Sequence, residues 1–159
     1  MHMDRFDAVD RAILRRLQID GRVPNNELAE AVRLSPSACL RRVRALESAG
    51  VIAGYRAELD PAKAGLGLTV FLELKVNNHS AETAREVEET LLGIPAVVAC
   101  HLVTGSADFF AEGVLPDLPS YEPLLLKHVL AIPTVVDVRS SFAIRTMRSR
   151  GPLPVDQLS

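Results

Sequence analysis

The fold is decided by residues 34–52, LSPSACLRRVRALESAGVI, which have the pattern of one helix with two unlike faces. At about 100° per residue, one side of this helix is predicted to be apolar and to pack on other elements. It consists of Pro36, Cys39, Leu40, Val43 and Leu46. The opposite side carries small residues, hydroxyls and guanidiniums, namely Ser37, Ala38, Arg41, Arg44, Ala45 and Ser48. A helix with this polar side and no carboxylate on it can approach DNA and bond phosphates or guanine edges.

Two shorter helices are predicted before this one. The first runs from Asp7 to Asp20, where Asp7 and Asp10 have the spacing of a capping box. The second runs from Asn25 to Val32 and leads through a tight turn to Ser35, a favourable N-cap, and Pro36 at the first helical position. Three short helices with a tight turn between the last two predict a helix-turn-helix.

The chain is expected to divide into a winged helix-turn-helix over residues 1–60, a linker over 61–67, a second domain over 68–147 and a tail over 148–159. Apolar and polar residues alternate weakly from Val51 to Leu59, which predicts a small strand or wing. Its Arg56 either touches the DNA backbone or is solvated. The linker contains proline and glycine and marks the change to strand-rich patterning. The tail is expected to be solvated and mobile.

The second domain is predicted to be ferredoxin-like. Its elements are a strand over Leu68–Val76, a helix over 80–92, a hairpin over 96–114, a helix over 117–131 and a strand over 135–144. An internal repeat supports this order, because LGIPAVV at 92–98 matches LAIPTVV at 130–136. The resulting fold class is α+β, with a winged helix-turn-helix followed by a βαββαβ domain.

Strand alternation predicts which sheet face is covered. The helices are expected to cover Val70, Leu72, Leu74, Val136, Val138, Phe142 and Ile144. The opposite face is expected to carry Phe71, Glu73, Lys75, Val97, Ala99, His101, Val103, Asp137 and Arg139. That face is too apolar to be left in water, so we expect a partner subunit to cover it. A dimer also places two recognition helices about a two-fold axis, which suits a palindromic operator.

Composition restricts the function. With 18 basic and 20 acidic residues in 159, the net charge of -2 provides no overall attraction to DNA, so any DNA contact must be local. Two isolated cysteines indicate neither a disulfide framework nor a zinc site, and the histidines lack metal-ligand spacing. We find no signal peptide or membrane-spanning stretch, and we expect a cytoplasmic, nucleoid-associated protein that needs no metal or cofactor and is not an enzyme.

An ordered set of short motifs resembles the Lrp/AsnC, or feast/famine, family of transcription regulators. The set comprises Arg22-Val23, Glu27-Leu28-Ala29, Leu34-Ser35-Pro36-Ser37, Arg41-Arg42-Val43-Arg44, Leu46-Glu47, Gly50-Val51-Ile52, Cys100-His101-Leu102-Val103-Thr104-Gly105 and Asp108. The resemblance implies a winged helix-turn-helix joined to a ferredoxin-like effector domain. It also implies homodimers, often assembled into tetramers or octamers, that bind double-stranded DNA and an amino acid or related small molecule.

The resemblance also assigns site residues. It matches Ser37, Arg41, Arg42 and Arg44 to the family's DNA-facing helix, and Ser35 and Ala38 at the start of that helix are expected to bind DNA with them. The effector pocket lies between dimers and uses the turn residues Thr104, Gly105, Ser106, Ala107 and Asp108 together with Ile132, Pro133 and Thr134 of a neighbouring subunit. Asp108 is expected to bind the ligand's α-ammonium, and turn N–H groups its carboxylate.

This sequence departs from the family pattern at several positions. The family usually has an acid and an aromatic residue where Ser106 and Ala107 stand, and a glycine where Thr134 stands. We therefore expect a pocket that is larger, less acidic or selective for another effector. Pro24 replaces a usual serine cap, so Asn25 is expected to cap the second helix.

Other interpretations of the same residues remain open. The arginines form a solvated basic face if they do not bind DNA, and Asp108 caps its own turn if it does not bind an effector. A catalytic triad of Ser106, Asp108 and His101 is disfavoured because no nucleophile elbow accompanies them. Two other functional classes are a ferredoxin-like sensor or enzyme subunit without a DNA role, and a nucleoid-organising protein of low sequence specificity.

Overall fold

The protein divides into two compact units in a computed structural model that describes residues 6–158. One unit contains the chain up to Glu58 together with the segment that begins at Arg148, and the other contains Leu59–Met147. Each unit has its own cluster of buried apolar side chains.

The first unit contains helices α1 (Ala8–Ile19), α2 (Asn25–Ala31) and α3 (Pro36–Ser48). The capping box is confirmed, because the Asp10 amide donates to the Asp7 side chain at 2.8 Å and the Asp7 amide donates back to Asp10 at 3.3 Å. The Ser35 cap is also confirmed, with the Ala38 amide donating to its hydroxyl at 3.3 Å. The predicted helix-turn-helix is therefore present.

The core of this unit is apolar and joins all three helices. It contains Ile13, Leu14, Leu28, Ala29, Val32, Cys39, Val43 and Leu46. Burial raises the pKa of the Cys39 thiol, as expected for a packed side chain held in its neutral form. The turn between α2 and α3 depends on Arg33, whose φ of 58° lets the Leu34 amide donate back to the Ala29 carbonyl at 2.9 Å.

Four local predictions in this unit are wrong. Residues 51–60 form no strand, because their weak alternation has no strand alongside it to complete a ladder. Asn25 does not cap α2; its amide group donates instead to the Pro36 carbonyl at 2.9 Å, which links α2 to α3. Leu40 lies at the margin of the apolar side and is 38% exposed. The tail is not simply solvated, since Val155 is buried in this core within a short 3₁₀ turn over Val155–Gln157.

The second unit has the predicted βαββαβ order. Its elements are β1 (Leu68–Val76), α4 (Ala81–Leu92), β2 (Val97–Leu102), β3 (Phe109–Leu115), α5 (Tyr121–Leu124) and β4 (Val135–Phe142). The strands form one antiparallel sheet in the order β2-β3-β1-β4. The predicted last helix is shorter than expected, because α5 continues into a π-helical turn, Leu125–Val129, where the Leu130 amide donates to the Leu125 carbonyl.

Two register shifts change the predicted sheet faces. Val70, Leu72 and Leu74 are fully buried against the helices, as expected from alternation. Val97 packs into this core although alternation placed it on the open face, and Val136 is 60% exposed although alternation placed it inside. The ladder shifts register beside both residues, and a one-residue slip moves a side chain to the other face.

Two other predicted core residues at the carboxyl end of β4 are also exposed. Phe142 is partly exposed at the last position of β4 and makes an edge contact with Tyr121, with ring centroids 5.0 Å apart. Ile144 is fully exposed because it lies beyond the end of that strand.

Candidate DNA-binding surface and effector site

The outward side of α3 presents Ser37, Arg41 and Arg44 to solvent. The burial of Cys39, Val43 and Leu46 on the inward side fixes this orientation. Within residues 6–158, neither Arg41 nor Arg44 makes a hydrogen bond or ion pair with another side chain. Two guanidiniums on one helix face are thus available to phosphates or base edges.

Arg42 is placed differently from its neighbours. Its guanidinium nitrogen lies 2.6 Å from the Asp7 carboxylate and 2.8 Å from the Asp10 carboxylate of α1. These two hydrogen bonds, the Asp10 bond first, raise the pKa of Arg42. The Asp10 amide, and after it Arg42, lowers the pKa of Asp7 despite the opposing effect of burial. The structure therefore ties Arg42 to α1, and its predicted contact with DNA stays a prediction.

The amino end of α3 carries two hydroxyls, those of Ser35 and Ser37, at the positive end of the helix dipole. The Ser35 hydroxyl accepts from the Ala38 amide and lies 3.3 Å from the Ser37 hydroxyl. Ala38 is small and half-buried, and the neighbouring Ser35 and Ser37 are exposed. The positive end of a helix dipole and exposed hydroxyls together suit a phosphate oxygen.

The predicted effector turn connects β2 to β3. Gly105 has a φ of 124°, a conformation that L side chains rarely adopt, and a Cβ there would meet no atom within 4 Å. Backbone geometry rather than lack of space therefore favours glycine. Thr104 and Ser106 are exposed, whereas Ala107 is half-buried.

The Asp108 side chain is bonded to the end of β1 rather than to its own turn. Its Oδ2 accepts from the Val76 amide at 2.9 Å, and its own amide donates to the Leu74 carbonyl at 2.9 Å. Its Oδ1 lies 3.5 Å from Nδ1 of His79, and the side chain is 17% exposed. One oxygen is thus fixed by the backbone, and the other faces an exposed histidine.

A cavity of about 330 Å³ opens beside Asp108. Its lining comprises Val76, Asn78, His79, Ser80, Thr83, Ala84, Leu102, Val103, Thr104, Asp108 and Phe109. Only Thr104 and Asp108 of the sequence-predicted set belong to it. Sequence reasoning missed the polar residues at 78–80. Their signal in the sequence is that they follow β1 directly, and the end of β1 pairs with the start of β3, beside Asp108.

The other predicted effector residues lie elsewhere in this unit. Ser106 and Ala107 line a small hollow near Lys75 and Asp137. Thr134 donates to the Glu86 carboxylate at 3.1 Å and lines a separate, acidic hollow, while Ile132 is buried and Pro133 exposed. One protomer does not bring the turn and the 132–134 corner into one cavity, and their meeting across subunits stays a prediction.

Comparison with known proteins decides the family. Residues 6–47 match the AsnC-type helix-turn-helix domain, and residues 69–153 match the Lrp/AsnC ligand binding domain. The chain belongs to the Lrp/AsnC family. It is accordingly a helix-turn-helix transcription regulator with a ligand-binding domain, and its family is one of regulators rather than enzymes.

Relatives of this Lrp/AsnC regulator align over nearly its whole length. The leucine-responsive regulatory proteins of Klebsiella pneumoniae and Escherichia coli K12 are 36% identical over 150 residues, covering 94% of this chain and 92% of theirs. A Neisseria meningitidis transcriptional regulator in complex with L-methionine superposes with a TM-score of 0.89 at 32% identity, covering 95% and 97% of the two chains. An AsnC family regulator of Agrobacterium tumefaciens has a TM-score of 0.89 at 33% identity, with coverage of 95% and 98%.

Among residues 6–158, no three His, Cys, Asp or Glu side chains are grouped so that they can hold a metal ion. No helix in the same part of the chain is long and apolar enough to cross a membrane.

Proposed function

We propose that this regulator reads DNA through Ser37, Arg41 and Arg44, with Ser35 and Ala38 at the start of α3 placing a phosphate. The contrast among three arginines carries the proposal. Among residues 6–158, Arg41 and Arg44 are exposed and have no side-chain partner, whereas Arg42 is held by Asp7 and Asp10. Arg42 therefore orients the helix, and its neighbours make the contacts with DNA.

The proposed effector is an amino acid. One structural relative was solved with L-methionine, and relatives at 36% identity are named leucine-responsive. The Oδ1 of Asp108 is suited to an α-ammonium. The apolar part of the cavity lining suits an aliphatic side chain and consists of Val76, Ala84, Leu102, Val103 and Phe109. The turn at 104–107 and a neighbouring subunit's 132–134 corner are proposed to complete the site.

The proposed assembly is a dimer through the open face of the sheet. On that face Phe71 and Phe110 stack with ring centroids 5.7 Å apart. Glu73 lies opposite Arg139 in register, and Lys75 lies opposite Asp137. Aromatic side chains surrounded by charges of both signs are typical of a protein interface. Higher assembly of dimers brings the two halves of the effector site together.

The mechanism of response is linkage between the two binding events. An amino acid bound more tightly in one assembly stabilises that assembly, and operator affinity changes by the same differential free energy. No contact between effector and DNA is required.

The test is DNA binding measured by fluorescence anisotropy on duplexes that the protein selects from a random library. We expect Arg41→Ala and Arg44→Ala each to weaken binding by about 1 to 3 kcal/mol if a base contact is lost. A lost phosphate contact would instead lower the salt slope by about one. Arg85→Ala is the matched control, because Arg85 is an exposed arginine of the other unit. Wild-type affinity in both α3 variants would overturn the assignment.

A further inference from the structure

The carboxyl-terminal segment Arg148–Leu158 belongs to the DNA-binding unit, although it follows β4 of the effector domain in the chain. Its anchor is Val155, which is 7% exposed and lies in the same core cluster as Ile13 and Leu46. Leu158 packs against the edge of that cluster. The chain therefore connects the two units twice, once after Glu58 and once after Met147.

Polar contacts fix the segment along one side of α1. Arg15 pairs with Asp156, and Arg11 donates to the Leu158 carbonyl at 3.2 Å. Gln18 makes two bonds, accepting from the Leu153 amide at 2.6 Å and donating to its carbonyl at 3.3 Å. Positions 11, 15 and 18 follow the spacing of one helix face. The segment thus lies along α1 for about two turns.

The same helix also holds the recognition helix. Asp7 and Asp10 of α1 bond Arg42 of α3, and Ile13 packs in the core that Cys39 and Leu46 share. Any displacement of α1 therefore acts on α3 through an ion-pair cluster and through packed side chains. The tail is connected to the DNA-reading surface through one intermediate helix.

The tail is held less firmly than the rest of this core. A cavity of about 610 Å³ lies between the tail, α1 and residues 51–55. The Arg15 and Asp156 side chains are 53% and 69% exposed, so water and salt weaken their pair. An element with one buried side chain and exposed polar contacts opens more readily than a packed helix.

We propose that the segment Arg148–Leu158, termed the strap, positions α1 and thereby the recognition helix, and that it couples the effector domain to DNA affinity. Val155 and Asp156 are its positioning residues. Residues 143–147 connect its other end to the end of β4 at Phe142, and β4 begins at Val135 directly after the corner residue Thr134. A ligand that shifts β4 can thus favour the docked or the undocked strap. This coupling rests on the proposed function.

The positioning role is tested by comparing Val155→Asp with Ser149→Asp. Both add one negative charge to the strap, but Ser149 is exposed whereas Val155 is buried. We expect Val155→Asp to weaken binding to the selected duplex by about tenfold and Ser149→Asp by no more than about twofold. Hydrogen exchange should quicken over α1 in Val155→Asp alone. Undiminished DNA affinity in a Val155→Asp protein whose strap exchanges freely would overturn the proposal.

A milder variant covers the case in which Val155→Asp does not fold. Asp156→Asn removes the pair with Arg15 and leaves the core intact. We expect it to weaken DNA binding by about twofold to threefold at low salt and to match wild type at high salt. If Asp156→Asn and wild type bound DNA with the same affinity at low salt, the positioning role of the strap would be contradicted.

The coupling is tested by inserting a short Gly-Ser repeat between Met147 and Arg148, within the exposed residues 144–150. The strap then remains docked, but the longer and flexible connection no longer transmits a displacement of β4 to it. The probe is whichever of the twenty amino acids gives the largest thermal shift with wild type. We expect unchanged DNA affinity without it and loss of the amino-acid-dependent change in affinity. An undiminished response would overturn the coupling role.

These results separate the strap from the proposed function. A wild-type protein that binds neither selected DNA nor any amino acid refutes the proposed function. The exchange of α1 in Val155→Asp and Ser149→Asp is measured without either ligand, so the docking of the strap is judged independently. Equal exchange in the two variants would refute docking itself.

Discussion

The guanidinium of Arg42 lies 2.8 Å from Oδ1 of Asp10, across the packed faces of α3 and α1. Asp10 is one of two buried polar or charged side chains in the described chain, and its carboxylate also closes the capping box of α1. The same charge therefore caps one helix and holds the other. Adjacent arginines on α3 consequently have different surroundings, because Arg41 is exposed while Arg42 is bonded to α1.

Replacing Arg42 with Met should destabilise the DNA-binding unit. The change leaves the Asp10 carboxylate buried with fewer partners, and the loss of such charge-assisted bonds costs about 1 to 3 kcal/mol. Urea unfolding monitored by circular dichroism gives the difference in free energy of unfolding. Arg41→Met is the control and should unfold like wild type, because Arg41 is exposed. Equal destabilisation by the two substitutions would contradict the division of roles.

Acid should weaken the capping box of α1. Because the pKa of Asp7 is lowered in the fold from its ordinary value of 3.8, its stabilising contribution is complete above that value. The contribution is lost as the pH falls through the lowered folded pKa. We expect Asp7→Ala to cost about 1 kcal/mol near neutral pH and progressively less under acid conditions. Thermal melts across an acid series measure this, and a pH-independent difference would refute the linkage.

Asp108→Asn should separate the structural role of this residue from the proposed ligand role. An asparagine Oδ1 can still accept from the Val76 amide, so the thermal midpoint without ligand should change little. The lost negative charge should weaken amino-acid binding by about tenfold or more, since the α-ammonium loses its counterion. Calorimetric titration provides the affinity. Asp108→Ala, which loses both functions, should also melt lower.

Introducing a charge at Phe71 should disrupt the proposed dimer. Phe71 stacks on Phe110 at the open face of the sheet, so Phe71→Lys places an ammonium in the proposed interface. Sedimentation velocity should show a shift towards monomer, with weaker DNA binding as a consequence. Leu126→Lys is the control, because Leu126 is an exposed leucine of the π-helical turn. A dimer that persists in Phe71→Lys would exclude this face.

Sequence patterns predicted helices and turns correctly where the stabilising interactions lie within the element itself. The Asp7 and Asp10 spacing, the Ser35-Pro36 start of α3 and the repeated Ile-Pro corners gave correct elements, because capping and turn chemistry act within a few residues. The order of strands and helices was enough to predict the sheet. Asp108, which the resemblance assigns to the effector site, adjoins a cavity, and its role in binding stays a prediction.

Only the tertiary structure decided what depends on residues far apart in the chain. The register shifts that exchange the places of Val97 and Val136, the tie from Arg42 to α1, and the docking of Val155 all arise from contacts between distant segments. A pattern within one helix or strand contains no information about such partners. The sequence by itself therefore determined the helix-turn-helix and the βαββαβ order, whereas long-range packing decided which arginine pairs with α1 and where the tail docks.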